Sequence, residues 1–401
     1  MHYSQSIYKT VFLSDIVDIQ IGKTPSRNQK KYWGVGFPWV SISDLNGNEE
    51  INYTKEQITL EAINETGIKI VPRGTIIFSF KLSIGKVAIT GQDIYTNEAI
   101  AAFKIKNSNI IDQRFLYYVL REFDFKGTGD KAVMGLTLNQ KKLKELNIPL
   151  PPLSTQKKIA AILDKADALR QNDKKILEKY DQLAGSVFLE MFGDPVRNEK
   201  GWRIVLFGDI IEDIVGGKSF GGDYRSMKVG EMAVLKISSV TSGEFDSTQY
   251  KVVNEISSKI NLIKPREGDL LFSRANTREL VGATCIVDKN YDQLFLPDKL
   301  WRLDLNQRLA LNYYIKFLLS DTKFRGTLTK KATGTSGSML NISKAKLRAL
   351  PIPLPRLDLQ TQFQASIKKI EEQKEYTRIS LQKSEELFQS LLQRAFSGEL
   401  G

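Results

Sequence analysis

Residues 143–159 read LKELNIPLPPLSTQKKI, and residues 347–363 read LRALPIPLPRLDLQTQF. One offset, 204 residues, aligns Leu143–Pro151 with Leu347–Pro355, and Leu153 with Leu357. The same offset pairs Gln156 with Gln360, Lys179 with Lys383, Leu183 with Leu387, Ser186 with Ser390 and Phe192 with Phe396. A register kept over about fifty residues marks a duplication, and its period is far too long for a solenoid.

The echo continues upstream with small gaps. Leu13–Lys23 (LSDIVDIQIGK) resembles Phe207–Lys218 (FGDIIEDIVGGK), and Pro72–Ser79 resembles Pro265–Ser273. Tyr117-Tyr118 matches Tyr313-Tyr314. Between these anchors the halves diverge, so each half is a variable globular part followed by a more constant tail. The globular parts carry strand patterns at Ile68–Phe80 and Val87–Ile89, bounded by Gly and Pro. Arg114–Glu122 and Ala310–Ser320 carry helical spacing. The fold class is α+β.

Pro151-Pro152 stops any helix upstream, and Ser154 is expected to cap a new one. Apolar residues at Ile159, Ile162, Ala166 and Leu169, then Ile176, Tyr180, Leu183 and Val187, alternate by three and four, with Asp173 as the gap. That spacing is a coiled-coil seam. The second tail offers Phe363, Ile367 and Ile370, then Leu387, Leu391 and Phe396, around a polar middle at Thr377–Ser384. Two such amphipathic helices want each other or a partner. The expected division is a first domain at 1–152, a helix at 153–192, a linker at 193–201, a second domain at 202–356 and a second helix at 357–401.

The chain has 401 residues and a formal net charge of +12. A basic balance favours a polyanionic partner, nucleic acid first. The single cysteine, Cys285, excludes an internal disulfide and a Cys-based zinc site. It sits in an apolar run and reads as an inert strand residue. The polar start, Met1–Thr10, has no secretory h-region, and no run approaches a membrane span in length. A cytoplasmic location is expected.

With its two variable domains, its Leu-x-x-Leu-x-Ile-Pro-Leu-Pro segment and a long helix ending in Met191-Phe192-Gly193-Asp194-Pro195, the chain resembles the specificity subunit of type I restriction-modification systems. The likeness covers essentially its whole length. It implies that each globular part is a target-recognition domain reading one half of a bipartite, asymmetric DNA site. It also implies an antiparallel coiled coil that sets the spacing. Two modification subunits carrying adenine-N6 methyltransferase chemistry, and motor-nuclease restriction subunits, are the implied partners. S-adenosylmethionine, ATP and Mg2+ belong to those partners, with no cofactor or metal in this chain. The second copy departs from the pattern at Arg356 and Phe363, and it ends without Gly-Asp-Pro.

Catalytic motifs are missing from the sequence. No Asn/Asp-Pro-Pro-Tyr type motif is present to hold a flipped adenine. A P-loop needs a further glycine ahead of Gly-Lys-Ser/Thr, but Val17 and Glu212 stand there. The only histidine is His2, so histidine acid/base chemistry is unavailable. Asp298-Lys299 echoes a nuclease pair without a partner carboxylate. A non-catalytic role is expected.

Three regions are candidates for DNA contact. The first is a basic turn in each half: Lys23, Thr24, Ser26 and Arg27, and Lys218 and Ser219. Such groups suit phosphate oxygens, although a plain hairpin turn has the same composition. Lys30 and Lys31 follow, beside Tyr32 and Trp33, which serve equally well as core. The second is Lys81, Ser83 and Lys86 in one half, and Arg274, Asn276, Thr277 and Arg278 in the other. Arg reads guanine and Asn reads adenine by paired hydrogen bonds. The third lies in Gly127–Asn139 and Lys330–Asn341, with Lys330, Lys331, Thr333 and Thr335. For the helix pair or partner subunits the candidates are Ile159, Ile162, Leu169, Ile176, Tyr180, Leu183, Phe363, Ile370, Leu387 and Leu391. A coiled-coil scaffold with two protein-binding ends is the alternative function; neutral domain surfaces would favour it.

Overall fold

Each half opens and closes on the same clasp. Thr10–Phe12 runs antiparallel to Asn147–Pro149, and Arg203–Leu206 runs antiparallel to Pro351–Leu354. The computed structural model describes residues 8–47, 49–123, 130–132, 135–256, 260–333 and 339–400. Two compact units emerge: residues 1–174 with 379–401, and residues 175–378.

The duplication holds for four strands of the larger sheet, and the first unit adds a fifth, Glu50–Ile51, at its edge. In the first unit a five-stranded sheet orders Val17–Ile21, Ile100–Ile105, Ile76–Ser79, Val87–Thr90 and Glu50–Ile51. In the second, a four-stranded sheet orders Ile211–Gly216, Leu300–Leu305, Leu270–Ser273 and Thr284–Ile286. A three-stranded sheet accompanies each. Trp33–Val40 pairs antiparallel with Glu56–Ile58 and parallel with Tyr95–Thr96. Met232–Leu235 pairs antiparallel with Tyr250–Val253 and parallel with Leu294–Phe295. The strand expected over Ile68–Phe80 is shorter than its apolar run: only Ile76–Ser79 is strand, and Thr59 caps a helix at Leu60–Thr66 just before. The tyrosine-bearing helices form at Gln113–Arg121 and Asn312–Ser320. Cys285 is buried in the strand Thr284–Ile286. Burial pushes its thiol pKa up, which suits an inert role.

The long helices span Leu153–Phe192 and Leu357–Ser397. The first starts one residue before its expected cap. The Gln156 amide donates to the Pro152 carbonyl at 3.0 Å, so Ser154 lies inside the helix. The helices pair antiparallel within each unit. In the first, the Arg170 guanidinium lies 4.0 Å from the Phe388 ring centroid, and Ser380 and Ser384 both donate to Asp173 at 3.1 Å. The gap in the apolar seam is therefore a polar clasp. In the second, Phe188 and Phe192 pack on Phe363 with centroids 5.7 and 5.1 Å apart.

At several positions the buried seam is shifted by one residue from the expected one. Ile159, Leu163, Ala166, Ala184, Phe188 and Phe192 are buried on the first helix. Phe363, Ile367, Ile370, Phe388, Leu392 and Ala395 are buried on the second. Ile159, Phe363 and Ile370 thus take their expected places, while Ile162, Ile176, Tyr180 and Leu391 are half-buried. Leu169, Leu183 and Leu387 are 53%, 47% and 47% exposed and leave the pairing seam. The cause is that each helix end also joins a domain core. Leu163 and Phe388 pack with Phe115 and Tyr118, and Phe188 and Phe363 pack with Tyr314 and Phe272. A helix serving two neighbours needs a wider apolar stripe than two seam positions per heptad supply.

Candidate nucleic-acid interface

The basic turns after the strands Val17–Ile21 and Ile211–Gly216 are each built by glycine at a close approach. A Cβ on Gly22 would overlap the carbonyl oxygens of Asn97 and Thr96, and one on Gly217 would overlap the carbonyl of Leu296. Only glycine lets the chain pass there. The next residues repeat a single contact: the Thr24 hydroxyl donates to the Glu98 carboxylate, and the Ser219 hydroxyl donates to the Asp298 carboxylate. Glu98 and Asp298 each stand just before a central strand.

Around this hydroxyl–carboxylate pair the three candidate regions converge in both halves. In the second, the Arg274 amide donates to the Lys299 carbonyl at 3.1 Å, and the Ile342 amide donates to the Arg274 carbonyl at 2.9 Å. In the first, Phe80 makes the same two bonds with Ala99 and Leu138, both at 3.0 Å. Ala275-Asn276 pairs with Leu340-Asn341 as a short ribbon, and Thr333 bridges to Asn341. Lys330 and Lys331 are exposed at the end of the helix Thr322–Lys331. Thr335 lies outside the described residues.

Several candidate cations already have partners. Arg27 forks onto Glu56 and stacks 3.8 Å from the Trp33 ring centroid. Lys31 contacts Glu65 at 2.5 Å and Glu61 at 3.5 Å. Lys23 donates to the Thr66 carbonyl at 2.5 Å, Lys86 donates to the Ile42 carbonyl at 3.4 Å, and the Lys81 ammonium lies 5.3 Å from the Phe80 ring centroid. Ser26 offers its carbonyl to the Trp33 indole, and Ser83 offers its carbonyl to the Ser79 hydroxyl. Arg274 donates to the Asp298 carbonyl at 3.0 Å and reaches its carboxylate at 3.4 Å. Partial burial pushes the Asp298 carboxyl upward, but the bonds from Ser219 and Arg274 outweigh it and hold the group below the usual range. Asn276 accepts from the Thr277 amide at 2.8 Å. Lys30, Lys218 and Arg278 are exposed. Tyr32 and Trp33 pack beside the buried Trp39, Ile58 and Ala62.

Some site features escape sequence reading. Glu98 and Asp298 organise the site, and their only signal is an acid before a matched strand. Each half also exposes one valine at a loop tip beside glycine: Val35 is 99% exposed and Val229 is 102% exposed. Val35 sits in an excursion of the strand, since Trp33 and Phe37 both pair with Ile58.

A second set of charges fastens each domain to a long helix. Arg114 bridges Glu49 and Asp164, and the Tyr118 hydroxyl adds a 2.7 Å bond to Asp164. Lys374 bridges Glu244 and Asp181, and Arg378 reaches Glu244 at 2.6 Å. Glu49 and Glu244 follow equivalent short helical turns, Ile42–Asp44 and Ile237–Val240. Among the described residues no cluster of His, Cys, Asp or Glu is arranged to hold a metal, and no helix is long and apolar enough to cross a membrane.

Two tandem mixed α/β domains, each joined to a long helix and each converging basic loops on a glycine-built turn, define a duplicated recognition protein. The model of the type I restriction modification DNA specificity domain matches residues 6–179 and again residues 199–385. The chain belongs to that family. Over 220 residues it is 31% identical to the type I restriction enzyme MjaIX specificity subunit of Methanocaldococcus jannaschii, covering 50% of each chain. Over 276 residues it is 29% identical to the Escherichia coli EcoKI specificity subunit, covering 64% of this chain and 58% of that one. The chain thus spans about half the length of these two relatives. The putative MjaX specificity subunit of M. jannaschii is 26% identical over 97% of this chain and 92% of its own. The crystal structure of the type I restriction-modification system S subunit from M. genitalium shares the fold. Its TM-score is 0.53 at 13% identity, over 98% of this chain and 96% of that one.

Proposed function

We propose that this chain is the DNA-reading subunit of a type I restriction-modification complex, recognising a bipartite, asymmetric site. Each domain reads one half-site, the first within residues 1–152 and the second within 202–356. The chain directs two modification subunits, and restriction subunits where present, to that site. Methyl transfer with S-adenosylmethionine, and ATP- and Mg2+-dependent cleavage, belong to those partners. The observation that carries the proposal is the duplicated convergence of the three loop regions on Thr24–Glu98 and Ser219–Asp298. Similar frameworks carrying different loops suit two readers of different sequences. In this reading Arg274, Asn276 and Arg278 reach base edges, and Lys23, Lys30, Lys218, Lys330 and Lys331 take phosphates. The exposed Leu169, Leu183 and Leu387 are free to meet partner subunits.

The test is selection of duplexes from a random-sequence library by the full chain bound to its neighbouring modification subunit. Enrichment of two short, dissimilar half-sites at a fixed gap is expected. Retention of all sequences equally would turn the assignment towards a scaffold.

A further inference from the structure

Beside the Ser219 turn lies an open pocket of about 300 Å³ whose lining includes Tyr224, Lys236, Lys251 and Lys299. Two ammonium groups, Lys251 and Lys236, lie 4.7 and 5.6 Å from the Tyr224 ring centroid. Tyr224 is 75% exposed. Among the described residues none of these three lysines has a carboxylate within ion-pair distance. In the same domain Arg225, Arg266 and Arg302 pair with Glu231, Asp292 and Asp304. The Lys299 ammonium contacts the Met339 sulfur at 3.8 Å, and the carboxylates of Asp246 and Asp298 act on Lys236 and Lys299 only from beyond ion-pair distance. Three cations lining one concavity attract an anionic ligand.

We infer that this pocket seats a phosphodiester of the DNA strand that the second domain reads, with Lys236, Lys251 and Lys299 as its cationic clamp and Tyr224 as its wall. The inference rests on the DNA-reading function proposed above. Base stacking is the weaker use of Tyr224, because it needs a bare ring face and two ammonium groups already lie over the ring. Phe220, Leu235 and Pro297 complete an apolar floor against which a deoxyribose can pack. Lys299 follows Asp298, the partner of Ser219 and Arg274. A phosphate held here therefore fixes the strand beside the residues proposed to read bases. Contacts of this kind position the duplex and carry no sequence information.

The experiment measures binding of the full chain to a mixed-sequence duplex across a salt series, for wild type, K236Q/K251Q, K299Q and K251R. Thermal melting of each variant verifies folding, and K299Q is a second, independent probe should the double variant fold poorly. Each neutralised phosphate contact contributes about 0.9 to the slope of log K against log salt. The double variant is expected to lose between about one and two units of slope and at least tenfold in affinity at low salt. K299Q should lose about one unit, and K251R should stay near wild type. Wild-type slope in both folded glutamine variants, with DNA binding intact, would overturn the clamp and leave the DNA-reading function standing. Competition for the pocket by polyglutamate but not by duplex would overturn it in favour of an acidic protein partner. Absence of salt-dependent duplex binding by wild type itself would remove the DNA-reading function and the clamp together.

Discussion

Gln360 repeats Gln156 bond for bond. Gln156 accepts from the Asp112 amide at 2.7 Å and donates to the carbonyls of Ile110 and Pro151 at 2.9 and 2.8 Å. Gln360 accepts from the Leu311 amide at 2.9 Å and donates to the carbonyls of Leu309 and Pro355 at 3.1 and 2.8 Å. Both side chains are fully buried. Each staples the start of a long helix to the loop that leads into its domain's tyrosine-bearing helix. Leucine at either position strands an amide and two carbonyls without water. Q156L and Q360L should each cost about 2–5 kcal/mol, read as a lower urea midpoint.

The Glu244 latch predicts a pH dependence. Burial pushes the Glu244 carboxyl upward, but the Lys374 hydrogen bond and the charges of Lys374 and Arg378 outweigh it, so its folded pKa lies below the ordinary carboxylate value. A depressed folded pKa stabilises above the unfolded value, near 4.3, and that contribution is lost as pH falls through the folded value. Asp181, on the other side of Lys374, keeps that ammonium paired. E244Q should therefore lower the melting temperature at neutral pH and show a flatter acid limb than wild type. The effect is on the order of 1 kcal/mol, since the half-exposed carboxylate is screened by water. Parallel acid limbs for the two proteins would rule the latch out.

Phosphate and base contacts should separate in a variant pair. K218Q is expected to weaken binding evenly across sequences and to reduce the salt slope by about one. R274A should cost about 1–3 kcal/mol of discrimination and relax one half-site only. Library selection distinguishes them: an unchanged second half-site in R274A would remove Arg274 from the readers.

Helix length should set the gap between half-sites. Four residues added to both long helices, after Lys174 and after Arg378, lengthen the pair by about one turn, 5.4 Å. The gap should grow by about one to two base pairs at 3.4 Å each, with the half-site sequences unchanged. Altered half-sites at an unchanged gap would contradict a spacing role.

Much of this was legible in the sequence because the duplication is covalent information. The offset that aligns Gln156 with Gln360 locates the start of each long helix to within a residue or two, and the Gly-Lys turns mark the basic loops. The exact seam was not legible. Leu169 and Leu183 satisfy the heptad spacing of a free coiled coil, yet they are exposed while Leu163 and Ala184 are buried, because the domain cores claim part of each helix face. Glu98 was missed, and Asp298 was noted only as an echo of a nuclease pair, because an acid pairs with a hydroxyl 74 or 79 residues away, a separation without periodicity. The meeting of the pocket lysines was hidden for a similar reason. Lys236, Lys251 and Lys299 come from three separate strand ends and form no charge run.

The most direct test maps adenine methylation across the genome of a methylation-free host expressing this chain with its neighbouring methyltransferase subunit, with each gene alone as control. Two short half-sites around a fixed gap, methylated only when both genes are present, are the predicted result. A stable complex that methylates no defined motif would contradict a DNA-reading role and make the scaffold the better description.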